Sequence, residues 1–443
     1  MEGSSHYIQN QIFNPNVIKG IYDVIAPRYA GSTKVQRAFF PDADYTTDEA
    51  IAFFQHNFWG MTPPTSLGAD PMPVGIPGGF YKSFSAGYFG EYSRFESKDL
   101  VQVKNPTQPY KADGVTPNLW GEDMIRNAMA HQKHRFETFK EAFCGALVSA
   151  GSFHIVGDGI DYRYPGPSST DYILEPHYRL SCVTAGTVSY GGWTTGGTWA
   201  TAASATPIKD INQMILYAAQ TLGVQVTEIW LSTLAAQRLV DANETTAWIE
   251  RNPELSRTML AAETAEVTLN KVVGGNVKFV VEDRTYAERM VIKTPTVKNS
   301  STTVVVDNDS PLPGADGTVS LKVMFHTANG IQRLVTITDK TANTLTFAAS
   351  DLSDVSMQPG DFIVYNKRFT DDDKLIFKTT RTDLQRFASL PCQTSPEDSL
   401  TPGVHVYSQD FVKKPNWGIT VGTFTRTGPM VWGPGGWLTL EVF

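Results

Sequence analysis

GEDMIRNAMAHQKHRFETFKEAFCGALVSAG, Gly121–Gly151, is the stretch whose reading decides the fold. Ile125, Met129, Gln132, Phe136, Phe139, Phe143 and Ala146 recur at alternating steps of four and three. That spacing draws one face of an amphipathic helix about seven turns long. Glu122 and Asp123 fall in its first turn, where the helix dipole favours negative charge, and Gly151 suits its end.

Upstream, the chain changes character twice. Residues 1 to 45 scatter Ile12, Phe13, Val17, Ile21, Tyr22 and Val24 among turn formers without a sustained period, as in an arm that a partner surface must order. A short helix is expected at 46–57, capped by Thr46 or Thr47, with Ala50, Ile51, Phe53 and Phe54 as its face. From Met61 to Pro109 the sequence is dense in Pro and Gly yet also in Phe and Tyr. Alternation over 92–103 suggests strands flanking a long excursion, and loops of this length are uncommon inside a compact domain. Such a segment is either a lid over an active site or a reach toward another subunit.

Downstream, residues 152–200 read as strands and loops. An α/β pattern follows: a helix led by Thr206-Pro207, the buried strand TEIWL, a second helix capped by Ser232, and the strand NVKFVVE at Asn276–Glu282. Residues 291–366 then switch to short β-rich runs between turns, the expectation being a small β-barrel or sandwich inserted as a unit. Val297–Asp307 and Ile337–Ala348 look related, each a polar turn opening into alternation. The host pattern resumes at DDDKLIFKTT, 371–380, and the tail is β-rich, with paired strands expected around Gly428-Pro429 and Gly433–Gly436.

Composition narrows the function. A net charge of −8, from 37 basic and 45 acidic residues, argues against nucleic-acid binding through a broad basic surface. Only 19% of residues are charged while aromatics are plentiful, which suits a surface largely covered by neighbours. Cys144, Cys182 and Cys392 are far apart and odd in number, with no zinc spacing, and read as reduced buried thiols. Neither a signal peptide nor a membrane span is expected, so the chain reads as soluble and cytosolic.

Chemistry-bearing motifs are few. His131, His134 and Glu137 share one helix within two turns, but both histidines fall outside the apolar stripe, and a solvated or interface face is the better reading. Asp371-Asp372-Asp373 lacks the Gly and terminal Glu of a calcium loop. Gly157-Asp158-Gly159, Gly274-Gly275 and Gly433–Gly436 match no phosphate-binding pattern and read as turns. No GxSxG, HExxH or catalytic-cysteine setting appears, so no catalytic residue, metal or cofactor is assigned and an enzyme is not expected.

Four stretches, in order, carry a resemblance. They are Phe84–Val103 (FSAGYFGEYSRFESKDLVQV), the long helix running into Ala146–Tyr162, Trp199 with Pro207–Leu239 (PIKDINQMILYAAQTLGVQVTEIWLSTLAAQRL), and Asp371–Ile376 with Lys414–Trp417 (KPNW) and Thr427–Phe443 (TGPMVWGPGGWLTLEVF). In order and spacing the chain resembles the lambda-like major capsid protein E family of tailed bacteriophages, whose fold is of the Hong Kong 97 type. No single motif is diagnostic. Residues 291–366 depart from the family pattern, which passes between strands there by a short connection. Cross-linking chemistry is not carried over, since Lys82 and Lys98 have no assignable partner.

The resemblance implies an α+β fold in seven parts. These are an N-terminal arm and short helix (1–61), an extended loop (62–112), a peripheral domain with a spine helix (113–165) and an axial domain (166–290). The inserted β-domain (291–366), an axial return (367–400) and C-terminal peripheral strands (401–443) complete it. It implies a major capsid protein of a double-stranded DNA phage, assembled in the host cytoplasm into hexamers and pentamers of an icosahedral shell. Such a shell encloses DNA without sequence-specific binding, is joined by a portal, and leaves room for a scaffold and a decoration or cement protein. No membrane is involved. Phe80, Tyr81, Phe84, Tyr88, Phe89, Tyr92, Arg94 and Phe95 are then the candidate inter-subunit contacts, and a chain lacking residues 66–100 should fold yet form no shells. The rival readings are an enzyme with 62–112 as its lid, and a tail or fibre protein carrying a carbohydrate-binding β-domain.

Overall fold

In the computed structural model helices and strands are mixed from Lys34 to Val281, and strands dominate from Thr285 onward. The structure describes residues 22–24, 33–47, 50–55, 79–98, 120–164, 178–251, 277–294, 303–392 and 401–443. Short breaks inside these spans fall at 85, 97, 158–159, 187–191, 308–311, 313–316, 328–329, 331, 342, 353–356, 382–384, 414–415 and 432–434.

The first part comprises α1 (Lys34–Phe39), β1 (Asp42–Asp44), β2 (Ala50–Gln55), β3 (Gly79–Phe84), β4 (Gly87–Glu96) and α2 (Trp120–Ala150). Then come β5 (Phe153–Gly157), β6 (Ile160–Tyr164), β7 (Arg179–Ser181), α3 (Pro207–Gln220), β8 (Val226–Leu231), α4 (Thr233–Asp241), α5 (Asn243–Arg251) and β9 (Lys278–Val281). The β-rich remainder begins with β10 (Thr285–Thr294), β11 (Thr303–Val306), β12 (Gly317–His326), β13 (Gln332–Thr341), β14 (Thr344–Phe347) and β15 (Phe362–Arg368). It ends with β16 (Lys374–Thr379), β17 (Gln385–Leu390), β18 (Val404–Lys413), β19 (Asn416–Val431) and β20 (Trp437–Glu441). The result is a mixed α+β fold.

Two five-stranded sheets organise it. In the first, the 16-residue β19 is the spine. It pairs along one edge with β4 and along the other with β18 and then β17, and β1 adds to β17 in parallel. The second sheet runs β7-β20-β16-β8-β9. It is buried on both faces, and the two-residue period of its strands divides the side chains between them. Ile229, Leu231, Leu375, Phe377, Leu438, Leu440 and Phe279 pack with α3 and α4 on one face. Trp230, Ile376, Trp437 and Val280 meet α1 and the end of α2 on the other.

α2 follows its expected stripe at first: Ile125, Met129, Gln132 and Phe143 are buried. From Glu141 to Ser149 it is enclosed almost all round, since it runs between α1 and the second sheet. Gly145 makes this possible. A Cβ there would lie 2.0 Å from the Phe369 carbonyl oxygen, so the backbone returning from β15 crosses directly over the helix. Gly151 ends α2 at φ +75°, its N–H donating to the Leu147 carbonyl.

α3 and α4 are started by local chemistry. The Ser232 hydroxyl accepts from the Ala235 N–H at 3.1 Å. At α3, Pro207 occupies the first helical position, and the fully buried Trp199 donates its indole N–H to Asp210 at 3.1 Å. Glu244 of α5 accepts the Ile208 N–H at 2.9 Å.

Strands β10, β11, β14, β13, β12 and β15 close a barrel around Met290, Ile292, Val304, Val323, Phe325, Val335, Ile337, Phe347 and Ile363. The two pieces that look related in sequence contribute β11 and β14, which pair antiparallel. Asn343 turns the β13–β14 connection at φ +50°, a conformation that Asn tolerates better than most residues. The first and last barrel strands are neighbours, Thr285 facing Arg368, so the chain enters and leaves side by side. At this root Asp283 accepts from the Thr233 N–H and pairs with Arg368.

Three expectations are corrected. Ala50–Gln55 is a strand rather than part of a helix at 46–57: it pairs residue for residue with Gly79–Phe84, and that non-local ladder overrides a short local apolar face. α1, at Lys34–Phe39, lies within the stretch read as an arm without period. β19 runs unbroken through Gly428-Pro429, where no hairpin forms; Pro429 sits opposite Phe387 of β17. After β16 the chain crosses between sheets twice, β17 joining the first and β20 the second, so 367–400 and 401–443 each contribute to both.

Glu141 ties several of these parts together. Its buried carboxylate accepts the Val35 and Gln36 N–H groups at 2.7 and 2.9 Å and pairs with Arg284, whose Nε also holds Glu282 at 2.6 Å. Glu141→Ala is expected to cost about 3–5 kcal/mol, the scale for removing one partner of a buried ion pair. A urea titration followed by tryptophan fluorescence checks this. A midpoint that does not move would show that the network contributes nothing.

Candidate assembly surface

β4 carries the surface on which the sequence placed its contacts. Its burial alternates strictly, with Tyr88, Gly90, Tyr92, Arg94 and Glu96 exposed and Gly87, Phe89, Glu91, Ser93 and Phe95 half-buried. This is the period of a strand with one face covered. α2 is what covers it. Phe89 packs on Phe139 with ring centroids 4.4 Å apart, and Phe95 packs against the cluster of Ile125, Met129, Ile419 and Val421. Glu91 pairs with Arg135 at 3.2 Å, and burial pushes its carboxyl above the ordinary range, against the pull of Arg135 and His131. Gln132, the one polar member of the helical stripe, donates to Ser93 Oγ at 3.1 Å and to the Val421 carbonyl at 3.3 Å. It locks the helix to both β4 and β19.

The eight candidate contacts therefore separate. Phe89 and Phe95 belong to the chain's own packing. Phe80, Tyr81 and Phe84 lie on β3, whose side chains are outside the described residues. Tyr88, Tyr92 and Arg94 occupy the open face, the two tyrosines 61% and 67% exposed.

Neighbouring strands extend that face in a way that no sequence period announces. Arg426 lies opposite Tyr88, Phe424 opposite Gly90 and Gly422 opposite Tyr92; His405 and Tyr407 continue the rows on β18. Tyr88 stacks on Phe424 at 5.7 Å with 21° between planes, and the Arg426 guanidinium sits 5.1 Å from the Tyr88 ring. Gly422 is required here. A Cβ on it would meet the Tyr407 ring at 2.7 Å and the Glu91 carbonyl at 2.8 Å, so the ring of Tyr407 lies flat across the strand. The outcome is an aromatic platform with Arg94 exposed on β4 and Arg426 buried beside Tyr88.

The ribbon of β2 and β3 pairs only with itself among the described strands. A lone two-stranded ribbon is at best marginally stable in water, so it calls for a second surface.

Among the described residues no group of three His, Cys, Asp or Glu side chains is placed to hold a metal. His134 faces Glu137 at 3.9 Å, and His131 is exposed on the same helix. Asp371 pairs with Lys374 at 2.8 Å and Asp372 with Arg368 at 2.9 Å, so two of the three successive carboxylates are engaged in ion pairs. Cys144, Cys182 and Cys392 are buried free thiols, each pushed upward in pKa chiefly by burial. Gly157 pairs with Ile160 where β5 meets β6, and residues 158–159 lie outside the described residues. Gly274-Gly275 lies outside the described residues. No helix among the described residues is long and apolar enough to cross a membrane.

Gly422→Leu should cost about 1–3 kcal/mol through overpacking against Tyr407 and the β4 backbone. Tyr92→Ala on the same row should stay within about 0.5 kcal/mol of the parent, because its ring is exposed. Paired urea titrations check both; equal losses at the two positions would mean that the platform is not arranged as described.

No protein-family model matches the sequence, and no curated protein does. Three similar solved structures come from phages or phage-derived genes. A prophage protein of E. coli CFT073 assigned to the capsid aligns with a TM-score of 0.49 and 14% identity, over 97% of this chain and 99% of that one. A phage-related protein from Bordetella bronchiseptica RB50 aligns with a TM-score of 0.40 and 10% identity, over 97% of each chain. The capsid of Ralstonia phage GP4 aligns with a TM-score of 0.40 and 9% identity, over 95% of this chain and 93% of that one.

Proposed function

We propose that the chain is the major capsid protein of a tailed double-stranded DNA bacteriophage, assembling with copies of itself into hexamers and pentamers of an icosahedral shell. The observation that carries this reading is the pair of unfinished surfaces on one stretch of chain. The β2–β3 ribbon has no sheet partner among the described strands, and β4, which follows it, opens an aromatic face to solvent. Both are surfaces that a neighbouring subunit completes. They sit within the order of parts that resembles the lambda-like capsid family, where α2 with the first sheet corresponds to the peripheral domain. The second sheet with α3–α5 corresponds to the axial domain, the ribbon to the extended loop, and the barrel to an insert. The Hong Kong 97-type assignment, the portal, scaffold and cement partners, the virion location and assembly in the host cytoplasm are parts of the same proposal.

Weak contacts suffice for such a container. A millimolar contact is worth about −4 kcal/mol, and a closed shell repeats several per subunit, so errors dissociate while the finished particle endures. The rival reading, a tail or fibre protein with the barrel as a carbohydrate module, could also complete the ribbon, and shell formation by the parent chain tells the two apart.

Deleting 66–100 no longer isolates the loop, because β4 lies within that span and pairs with β19 over its whole length. The cleaner variant joins Gln55 to Gly79, which face each other across the ribbon, through an Asn-Gly turn. It should keep the circular dichroism of the parent and form no shells by electron microscopy. The variant keeps β2 and β3 and removes residues 56–78, so normal particles from it would overturn the assignment of the extended loop. A parent chain that stays monomeric at high concentration would overturn the capsid reading itself.

A further inference from the structure

A cleft of about 460 Å³ opens between α1 and strands β16, β8 and β9. Register builds its floor. Glu228 of β8 lies between Lys278 of β9 and Lys378 of β16, a Lys–Glu–Lys row spanning three strands. The next row, Ile376, Trp230 and Val280, seats α1, with Phe39 edge-on to Trp230 at 5.3 Å. α1 then holds Lys34 and Arg37, three residues apart and so on one side of the helix, along the rim.

The single carboxylate is already engaged: Glu228 takes Lys378 at 3.3 Å and the Trp230 indole N–H at 2.9 Å. Lys34 reaches Glu282 at 3.6 Å, while Arg37 and Lys278 are exposed and make no ion pair among the described residues. Four cations thus converge on one concavity in a chain whose net charge is −8. Lys278 and Lys378 are two strand spacings apart, roughly 10 Å, too wide for one small anion to neutralise both. A chain of anions fits this spread. Trp230 is buried beneath Phe39 and its N–H is committed, so no aromatic face is offered for a base to stack on.

We infer that this cleft binds the phosphodiester backbone of nucleic acid and reads no sequence. Phosphate contacts of this kind position a polymer without specifying bases. The mild acidity of the rest of the chain then confines contact to the cleft, in place of the broad basic surface that the composition excludes. The inference rests on the cleft and not on shell formation, so it can fail while the capsid reading stands, and the reverse.

The test is fluorescence anisotropy of the unassembled full-length chain with a labelled DNA duplex. Parent protein should bind two unrelated duplexes within about two-fold of each other, and should weaken about 40-fold between 50 and 200 mM salt if three phosphates are neutralised. Arg37→Gln combined with Lys278→Gln, two exposed positions whose change lowers the net charge by two, should lose at least about ten-fold. Lys322→Glu, an exposed charge on the barrel, should change binding less than two-fold and controls for net charge. Undiminished binding by the double variant overturns the proposal. Displacement of the duplex by inorganic phosphate at matched phosphate concentration would point to an isolated ion site and overturn the polymer reading. Displacement by polyglutamate as effective as that by unlabelled duplex would assign the cleft to an acidic peptide instead.

Discussion

One buried carboxylate conditions much of the architecture. Glu141 sits on the enclosed part of α2, where an ionised group is tolerated only if its oxygens are fully used. They are used by three donors from two distant parts of the chain: two backbone N–H groups of α1, and Arg284 at the foot of the barrel. α1 is a short helix that would be marginal alone, and the carboxylate fills the capping role that its Thr33 side chain does not. Arg284 in turn grips Glu282 beside β9. The N-terminal helix, the long helix, the second sheet and the barrel root are thus referred to one point, and Gly145 lets the returning backbone cross the helix one turn further on.

What the sequence disclosed follows from the range of the interactions involved. α2, α3, the Ser232 cap and β8 depend on neighbours a few residues away, and their periods and caps are written in consecutive letters. β2 was misread because its partner, β3, lies beyond a Pro- and Gly-rich stretch, and its apolar spacing suits a short helix equally well. The continuity of β19 through Pro429 was hidden for a related reason. A Gly-Pro pair signals a turn locally, and only the flanking strand β17 keeps the chain extended there.

The candidate assembly surface shows the same division at the level of single residues. That β4 is aromatic was plain, and the alternation of Tyr88, Gly90 and Tyr92 against Phe89 and Phe95 could have separated outward from inward rings. Phe424, Tyr407 and Arg426 could not be joined to them without the register of β19 and β18, more than three hundred residues away. The basic cleft is less legible still. Lys278 and Lys378 stand a hundred residues apart with no local charge run, and only the strand order β16-β8-β9 sets them on either side of Glu228.

The barrel's paired ends have a consequence for how such a chain changes over time. Because Thr285 and Arg368 face each other across one strand spacing, the host never has to stretch or shift to accommodate what lies between them. The joint behaves as a socket. Any compact module with closely spaced termini could be exchanged at Arg284 and Phe369 while α2 and both sheets kept their sequence. The barrel and the rest of the chain are therefore free to diverge at different rates, and foreign domains added by engineering would enter most cheaply at this neck.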